Sequence, residues 1–370
     1  MAGSDGDLVR CSRCVLPETY PGISFDAAGV CNYCAAYRPS VCQAEAGLLQ
    51  IVDRHRGRGG HDCVVALSGG RDSAFVAYYL VHRLGLAPLA VLCDNGFMPE
   101  GTRRNVEQVV SRLGIDLVVV EHAAVKGSAS AVMSAWLHRP DPAMVAFLCN
   151  GCVTGIKRGL AQAARADGTS LIIGGGGGIV GLGGEPEQSF AEELLAAGKR
   201  VLGRPLSLLA GFAARTVRNP RYLLRARCLT SFGREFYYRF CHRYDRALEV
   251  VSLFEFIEWN ESDILDAIQH ELGWQKPAYA ASSWRSDCTI HLVKEYLYQE
   301  TLGFTKQDEL LSGMVRENMI TRETAARRLQ DESKIPREHL AQFLRQLGVS
   351  LPQVDAALAR HRRTLRSHRT

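Results

Sequence analysis

Residues 63–84, CVVALSGGRDSAFVAYYLVHRL, join two apolar runs through the polar hexapeptide SGGRDS, and no other stretch limits the fold so narrowly. CVVAL is short and β-branched, which predicts a buried strand, while Ser73–Leu84 is long enough for a helix. The turn between them needs the backbone freedom of Gly69 and Gly70. The amides that open such a helix point outward with the positive end of its dipole behind them, and the hydroxyls of Ser68 and Ser73 add donors. The turn is therefore predicted to hold an anion. Asp72 is placed either to cap the helix or to help hold Mg²⁺.

The alternation continues downstream. PLAVLCD (88–94), DLVVVEH (116–122) and SLIIGG (170–175) read as strands. Arg103–Leu113 and segments near 128–137 and 154–166 read as helices. Near-continuous apolar strands separated by helices imply a doubly wound parallel α/β sheet covered on both faces. GGGGG at 174–178 follows the last strand, where ligands of open α/β sheets bind; a mobile loop is the competing reading. From about 205 onward the pattern is helical and aromatic, with helices expected around 305–330 and 336–362, and Thr321 starting one of them as an imperfect capping box. The aromatics of REFYYRF (234–240) and FEFIEW (254–259) read as core, with a pocket for a base or sugar ring as the alternative. A chain of 370 residues suits two or three domains. The boundaries expected are 1–40 for a cysteine-rich module, 41–60 for a linking helix closed by GRGG, 61–204 for the sheet domain and 205–370 for a mainly helical substrate region.

SGGRDS is not a Walker phosphate loop, because the GxxxxGK[ST] pattern is missing. It resembles the SGGxDS signature of the PP-loop ATP pyrophosphatases, the adenine nucleotide α-hydrolase superfamily. That resemblance implies a HUP-type sheet and cleavage of ATP between its α and β phosphates. It also implies adenylation of a carbonyl-type oxygen, followed by displacement of AMP. Ser68, Gly69, Gly70, Asp72 and Ser73 would bind pyrophosphate, with Asp72 and Ser73 catalytic, and Ala66, Leu67 and Asp94 would lie near the adenosine.

No apolar run reaches the ~18 residues of a membrane span, and the first residues lack a secretion signal, so a cytoplasmic, reducing setting is expected. There, paired cysteines point to metal or to chemistry rather than to disulfides. Six of the twelve cysteines form three CxxC pairs, whereas Cys42, Cys63, Cys93 and Cys241 stand alone and read as ordinary buried thiols. Cys11, Cys14, Cys31 and Cys34 have the C-x2-C-x16-C-x2-C spacing of a structural zinc ribbon, four thiolates saturating a tetrahedral Zn²⁺. The surrounding RCSRCVLPETYPGISFDAAGVCNYC is similar to the N-terminal segment of the N-acetyl sugar amidotransferase family, as WRSDC (284–288) and GMVRENMITRETAARRL (313–329) are to its later motifs. This likeness implies a sugar or natural-product acceptor and ammonia supplied by a partner glutaminase.

The third pair, Cys149 and Cys152 in FLCNGCVTGIKRG, needs a further ligand to hold metal, with Cys288 the first choice and Cys228 the second. Three cysteines resemble the [4Fe-4S] sites of PP-loop tRNA thiolation enzymes. A redox or persulfide pair served by a sulfur carrier, and a structural pair or second zinc site, are the competing readings. Lys157 and Arg158 on the same helix either meet phosphate or form a solvated face. The net charge of +5 is too small to argue for nucleic acid, so a tRNA partner rests on the zinc module and the basic tail ARHRRTLRSHRT alone. A non-catalytic nucleotide sensor is the remaining alternative, although such relatives lack SGGxDS.

Overall fold

A computed structural model of the chain describes residues 8–39, 41–175, 194–195, 204–236, 247–284 and 286–367. Five parallel strands form one sheet: β1 (Cys63–Ala66), β2 (Pro88–Asp94), β3 (Leu117–Glu121), β4 (Leu171–Gly174) and β5 (Glu249–Ser252), in the order β3-β2-β1-β4-β5. The register pairs Cys63 with Pro88 and Val64 with Ile172, so β1 lies at the centre. Pro88, which has no N–H to give, is tolerated because it is the first residue of its strand.

The sheet is covered on both faces, as the apolar runs predict. On one face Val65, Ala90, Leu92 and Ile173 pack with Ala74, Val76 and Leu80, with Val106 and Val109, and with Ile264 and Ile268. These belong to the helix Arg71–Tyr78 and its π-helical continuation Tyr79–Arg83, to Glu100–Leu113 and to Glu261–Leu272. On the other face Val64, Val91 and Ile172 meet Leu160, Ala163 and Ala164 of the helix Asn150–Asp167. The edges depart from the buried reading: Val119 of β3 is 48% exposed and Val250 of β5 equally so. An apolar run is covered only where something packs on it, and an edge strand has one neighbour fewer.

β5 arises within the region expected to be mainly helical and completes the sheet. The helices expected near 305–330 resolve into Lys306–Arg316 and Arg322–Glu332, and those near 336–362 into Arg337–Gln346 and Leu351–Ser367. Thr321 caps the second of these four, its hydroxyl accepting from the Thr324 amide at 3.2 Å. Phe254, Phe256 and Trp259 are core residues; residues 237–240 of REFYYRF and Cys241 lie outside the described residues.

The cysteine module does not stand apart. Arg10 Nη1 pairs with the buried Asp308 at 2.6 Å, the Val15 amide donates to Ser312 Oγ at 3.3 Å, and Tyr20 Oη donates to Glu309. Arg322 Nε donates to the carbonyls of Cys11 and Cys14 at 3.0 and 3.1 Å. The first and last thirds of the chain thus share one interface. Among the described residues no helix is long and apolar enough to cross a membrane.

Candidate active site

β1 leads toward β2 and β3 on one side, and the chain returns to β4 and β5 on the other. The loops after β1 and β4 therefore part at the β1/β4 seam, the topological switch point where such sheets open a crevice. SGGRDS lies there. Gly69 has φ +77°, and a Cβ on it would stand 2.5 Å from the Thr102 carbonyl oxygen, so no other residue fits. Its own carbonyl is pinned by the Trp274 indole N–H at 2.9 Å and by the Asn105 amide. The two hydroxyls converge, Ser68 Oγ lying 3.1 Å from Ser73 Oγ, and the Gly70 amide donates to Ser68 Oγ at 3.3 Å. The Ser73 hydroxyl also accepts from the Ser68 amide at 3.2 Å and donates to the Gly70 carbonyl at 3.0 Å, which holds the turn at the start of the helix Arg71–Tyr78, where helices leave their first amides unpaired. Across the seam, a Cβ on Gly175 would lie 3.4 Å from the Asp72 carbonyl oxygen, which brings the end of β4 against the same turn. Residues 176–178 of the glycine run lie outside the described residues.

Asp72 does not cap this helix; Gly70 occupies the N-cap position and no side chain bonds there. The Asp72 carboxylate instead accepts from Arg71 Nε at 2.8 Å and from the Trp259 indole at 3.3 Å. Arg71 is 2% exposed, lies over the Trp259 ring at 4.8 Å and pairs with Glu261 at 2.6 Å. It holds the turn from behind rather than facing its mouth.

The carboxylate beside the turn is Asp287, whose Oδ2 would be 3.4 Å from a Cβ on Gly70. In the sequence Asp287 is marked by the WRSDC motif and its place before Cys288, neither of which assigns it a role. Ser286, its neighbour, is fixed by Thr102 Oγ1 at 3.2 Å and by Tyr279 Oη at 2.5 Å, both donating to its carbonyl.

Asp94 ends β2, accepting from the Gly96 amide at 2.8 Å and from Arg103 at 2.6 Å. Burial works to raise its pKa, but those two donors outweigh it and hold the carboxyl below its usual range. Ala66 is the last residue of β1 and the Leu67 amide donates to Val91 at 3.0 Å, so both stand at the strand ends as expected.

Asn95, which follows Asp94, brings two of the cysteines together. Its side-chain amide donates to Cys152 Sγ at 3.2 Å and toward Cys288 Sγ at 3.6 Å, and Lys294 Nζ donates to Cys149 Sγ at 3.5 Å. Burial first, and then the neighbouring cysteines and Asp287, push the Cys152 thiol up to about 11 and Cys288 higher still. Cys93, read as standing alone, lies close enough to Cys152 to contribute to that shift. Cys228 is elsewhere, buried in the helix Ala226–Phe236 beside Tyr222. Lys157 and Arg158 are exposed.

The N-terminal sulfurs form a different kind of site. Cys11, Cys14, Cys31 and Cys34 are buried with their sulfurs all within 4.8 Å of one another. The Cys11–Cys34 and Cys14–Cys31 separations are both 3.9 Å, close to the ~3.8 Å edge of a tetrahedron with Zn–S bonds of ~2.3 Å. Cys11 Sγ accepts from the amides of Arg13, Cys14 and Cys31, which fixes the sulfur within the loop. This donor set fits a tetrahedral metal ion. Among the described residues no other trio of such ligands is as tight, so Cys149, Cys152 and Cys288 are spread too widely for one ion to bind all three directly.

No family model matches the chain. Over 117 residues it is 27% identical to an uncharacterised protein of Methanocaldococcus jannaschii, a match spanning 30% of this chain and 42% of that one. Over 82 residues it is 33% identical to a glutamine-hydrolysing GMP synthase of Pyrobaculum aerophilum, spanning 22% of this chain and 16% of the synthase. The chain thus spans less than half the length of either curated relative. Among solved structures, an NMN synthetase from Francisella tularensis aligns over 79% of this chain and 96% of its own, at 13% identity and TM-score 0.34. An NH3-dependent NAD synthetase from Campylobacter jejuni aligns over 55% and 95%, at 17% identity and TM-score 0.27.

Proposed function

We propose that the chain is a PP-loop ATP pyrophosphatase that adenylates a carbonyl or amide oxygen of a small acceptor, releases pyrophosphate, and then exchanges that oxygen for nitrogen. The observation that carries this reading is the turn itself, with two converging serine hydroxyls at a helix start beside the seam between β1 and β4. In this reading Ser68, Gly69, Gly70 and Ser73 hold the departing pyrophosphate, and the ends of β1 and β2 hold the adenosine. In this reading Asp287, beside Gly70, holds Mg²⁺ against the phosphates, while the Asp72 carboxylate is engaged by Arg71 and Trp259. Adenylation converts a poor leaving group into AMP, and donors fixed in advance stabilise the charge that develops on pyrophosphate. The local identity to a glutamine-hydrolysing GMP synthase supports nitrogen as the incoming atom, with ammonia from a partner glutaminase and an N-acetyl sugar as acceptor. Zn²⁺ in the four-cysteine site would be structural, because four thiolates leave no open position.

Product analysis with ATP labelled at the γ phosphate tests the reading. Offered a panel of amino-sugar acceptors and ammonium, the protein should yield labelled pyrophosphate together with AMP. Ser73→Ala should slow the reaction by about tenfold or more, the scale of one lost charge-assisted hydrogen bond. Labelled orthophosphate with ADP, or an unaffected variant, would overturn it.

A second reading, sulfur transfer, is favoured by one observation: Cys152 and Cys288 meet at the side chain of Asn95, with Cys149 near enough to both to act on their charge. Cys149, Cys152 and Cys288 would hold a [4Fe-4S] cluster, which spaces its thiolates more widely than a single ion does. Such a cluster would supply an iron able to carry sulfur, with Cys149 and Cys152 as a persulfide pair in the variant without iron. Iron, sulfide and protein-bound sulfane sulfur assays of protein purified without oxygen decide between the readings: a stoichiometric cluster, or sulfane sulfur, lost in Cys149→Ala supports sulfur, and the absence of both supports nitrogen.

A further inference from the structure

From residue 204 to residue 234 the chain holds seven arginines and no aspartate or glutamate. This stretch folds as the helix Arg204–Arg218, the short turn Pro220–Tyr222 and the start of the helix Ala226–Phe236. On the first helix Leu206, Leu209, Ala213 and Val217 recur at helical spacing, so they share one stripe, and all four are exposed. The stripe ends at a corner where Val217 is 74% and Leu224 80% exposed, with Leu223 beside them. Interleaved with these, Arg218, Arg221, Arg225 and Arg227 are exposed and make no ion pair among the described residues, whereas Arg215 is neutralised by Asp141 at 3.2 Å. The corner is held from behind: Tyr222 is buried, Asn219 Nδ2 donates to the Ala135 carbonyl at 2.8 Å, and Arg139 Nη1 donates to the Arg218 carbonyl at 3.2 Å. Arg360 of the helix Leu351–Ser367 donates to the Leu137 carbonyl at 3.0 Å, which sets the basic tail beside the same place.

We propose that this corner seats the protein on an anionic phospholipid surface, with Val217, Leu223 and Leu224 entering the acyl boundary and Arg218, Arg221 and Arg225 binding the lipid phosphates. Exposed arginines alone would suit an RNA, and exposed leucines alone would suit an apolar protein face. The two interleaved within nine residues suit a bilayer, whose phosphates lie directly outside its hydrocarbon. An RNA groove would leave the leucines in water. Guanidinium groups take phosphate oxygens in pairs, and a segment without carboxylates meets no repulsion from the negative surface. Because the backbone of the corner is fixed by Asn219, Tyr222 and Arg139, its outward side chains are free to carry the contact without disturbing the fold. Such a contact is peripheral and needs no spanning helix. It involves no residue of the phosphate turn, so it holds whichever atom the enzyme transfers.

Flotation of the full chain with vesicles on a density gradient tests the surface. The protein should float with vesicles of equal parts phosphatidylglycerol and phosphatidylcholine and stay behind with phosphatidylcholine alone. Arg221→Gln combined with Arg225→Gln should weaken the binding by about tenfold or more, the scale of two cations at a charged bilayer. Leu223→Gln combined with Leu224→Gln should weaken it by about tenfold as well, at unchanged net charge and an unchanged urea midpoint. Val217→Gln, at the end of the other helix, should act in the same direction by itself. No flotation of the wild type would overturn the proposal. So would flotation that neither the leucine pair nor Val217→Gln reduces, since that is only the attraction of any cationic surface. A tRNA transcript bound more tightly than the vesicles, and dependent on the arginine pair but not the leucine pair, would also overturn it and make the corner a nucleic-acid surface.

Discussion

Gly69 and Asp287 show how unevenly single residues announce themselves. Gly69 was legible, because an SGG turn between a strand and a helix asks for a residue that can take positive φ and let other backbone come close. The structure adds the partner that makes the requirement strict, the Thr102 carbonyl oxygen at 2.5 Å from any Cβ. Gly69→Ala should lower stability by about 3 kcal/mol, from the left-handed backbone and the overpacking together, read as a shift in the urea midpoint at constant m. Asp287 was not legible in the same way. What makes it part of the site is a fold that sets it beside Gly70, 217 positions earlier in the chain, and no local pattern encodes that. Asp287→Asn keeps the shape and removes the charge. It should weaken the Mg²⁺ dependence of AMP formation severalfold while leaving the urea midpoint within about 0.5 kcal/mol, since the residue is half-buried at the site mouth. A midpoint that falls while the Mg²⁺ dependence stays put would make Asp287 a structural residue only.

Among the elements, the helix Arg322–Glu332 links the two special turns of the molecule. Its first residue holds the carbonyls of Cys11 and Cys14. Two turns later Arg328 Nη1 binds Glu261 Oε2 at 2.8 Å, and Glu261 Oε1 receives Arg71 of the phosphate turn at 2.6 Å. Burial works to raise the Glu261 pKa, but Arg328 and Arg71 outweigh it and keep the carboxyl below its ordinary 4.5. A lowered folded-state pKa means the stabilisation is present above the ordinary value and is lost as pH falls through the folded one. Glu261→Gln should therefore cost about 2 kcal/mol near neutral pH, with two arginines left under-paired. The gap to wild type should close as urea titrations are moved to acid pH. A gap that is constant with pH would mean that packing, not charge, is what Glu261 supplies. Thr321 made the start of this helix readable from sequence, but the ion chain did not show, because Arg71, Glu261 and Arg328 lie in three distant segments and each looks like a solvated charge.

At the scale of the whole molecule, the apolar runs were enough to read β1, β2, β3 and β4; burial on both faces leaves an unbroken signature in β1, β2 and β4, and the β-branched run of β3 keeps it although that strand is partly exposed. β5 escaped because EVVS is four residues long, sits at an edge, and carries polar residues at both ends. The four-cysteine site was legible from spacing, since a metal knuckle is a local motif. Its coupling to the rest was not, and that coupling has a consequence for activity. With a metal ion held in this site, its removal would leave four buried sulfurs in contact with nothing binding them together, so the two knuckles should part. Arg322 then loses the carbonyls that fix the start of its helix, and Arg328 loses register with Glu261. Chelation, or Cys14→Ser, should thus lower Tm by roughly 5–10 °C. It should also raise the KM for ATP severalfold, although no cysteine of the module touches the phosphate turn. Unchanged ATP affinity in a metal-free protein with lowered Tm would mean that the module stabilises the chain without setting the geometry of its site.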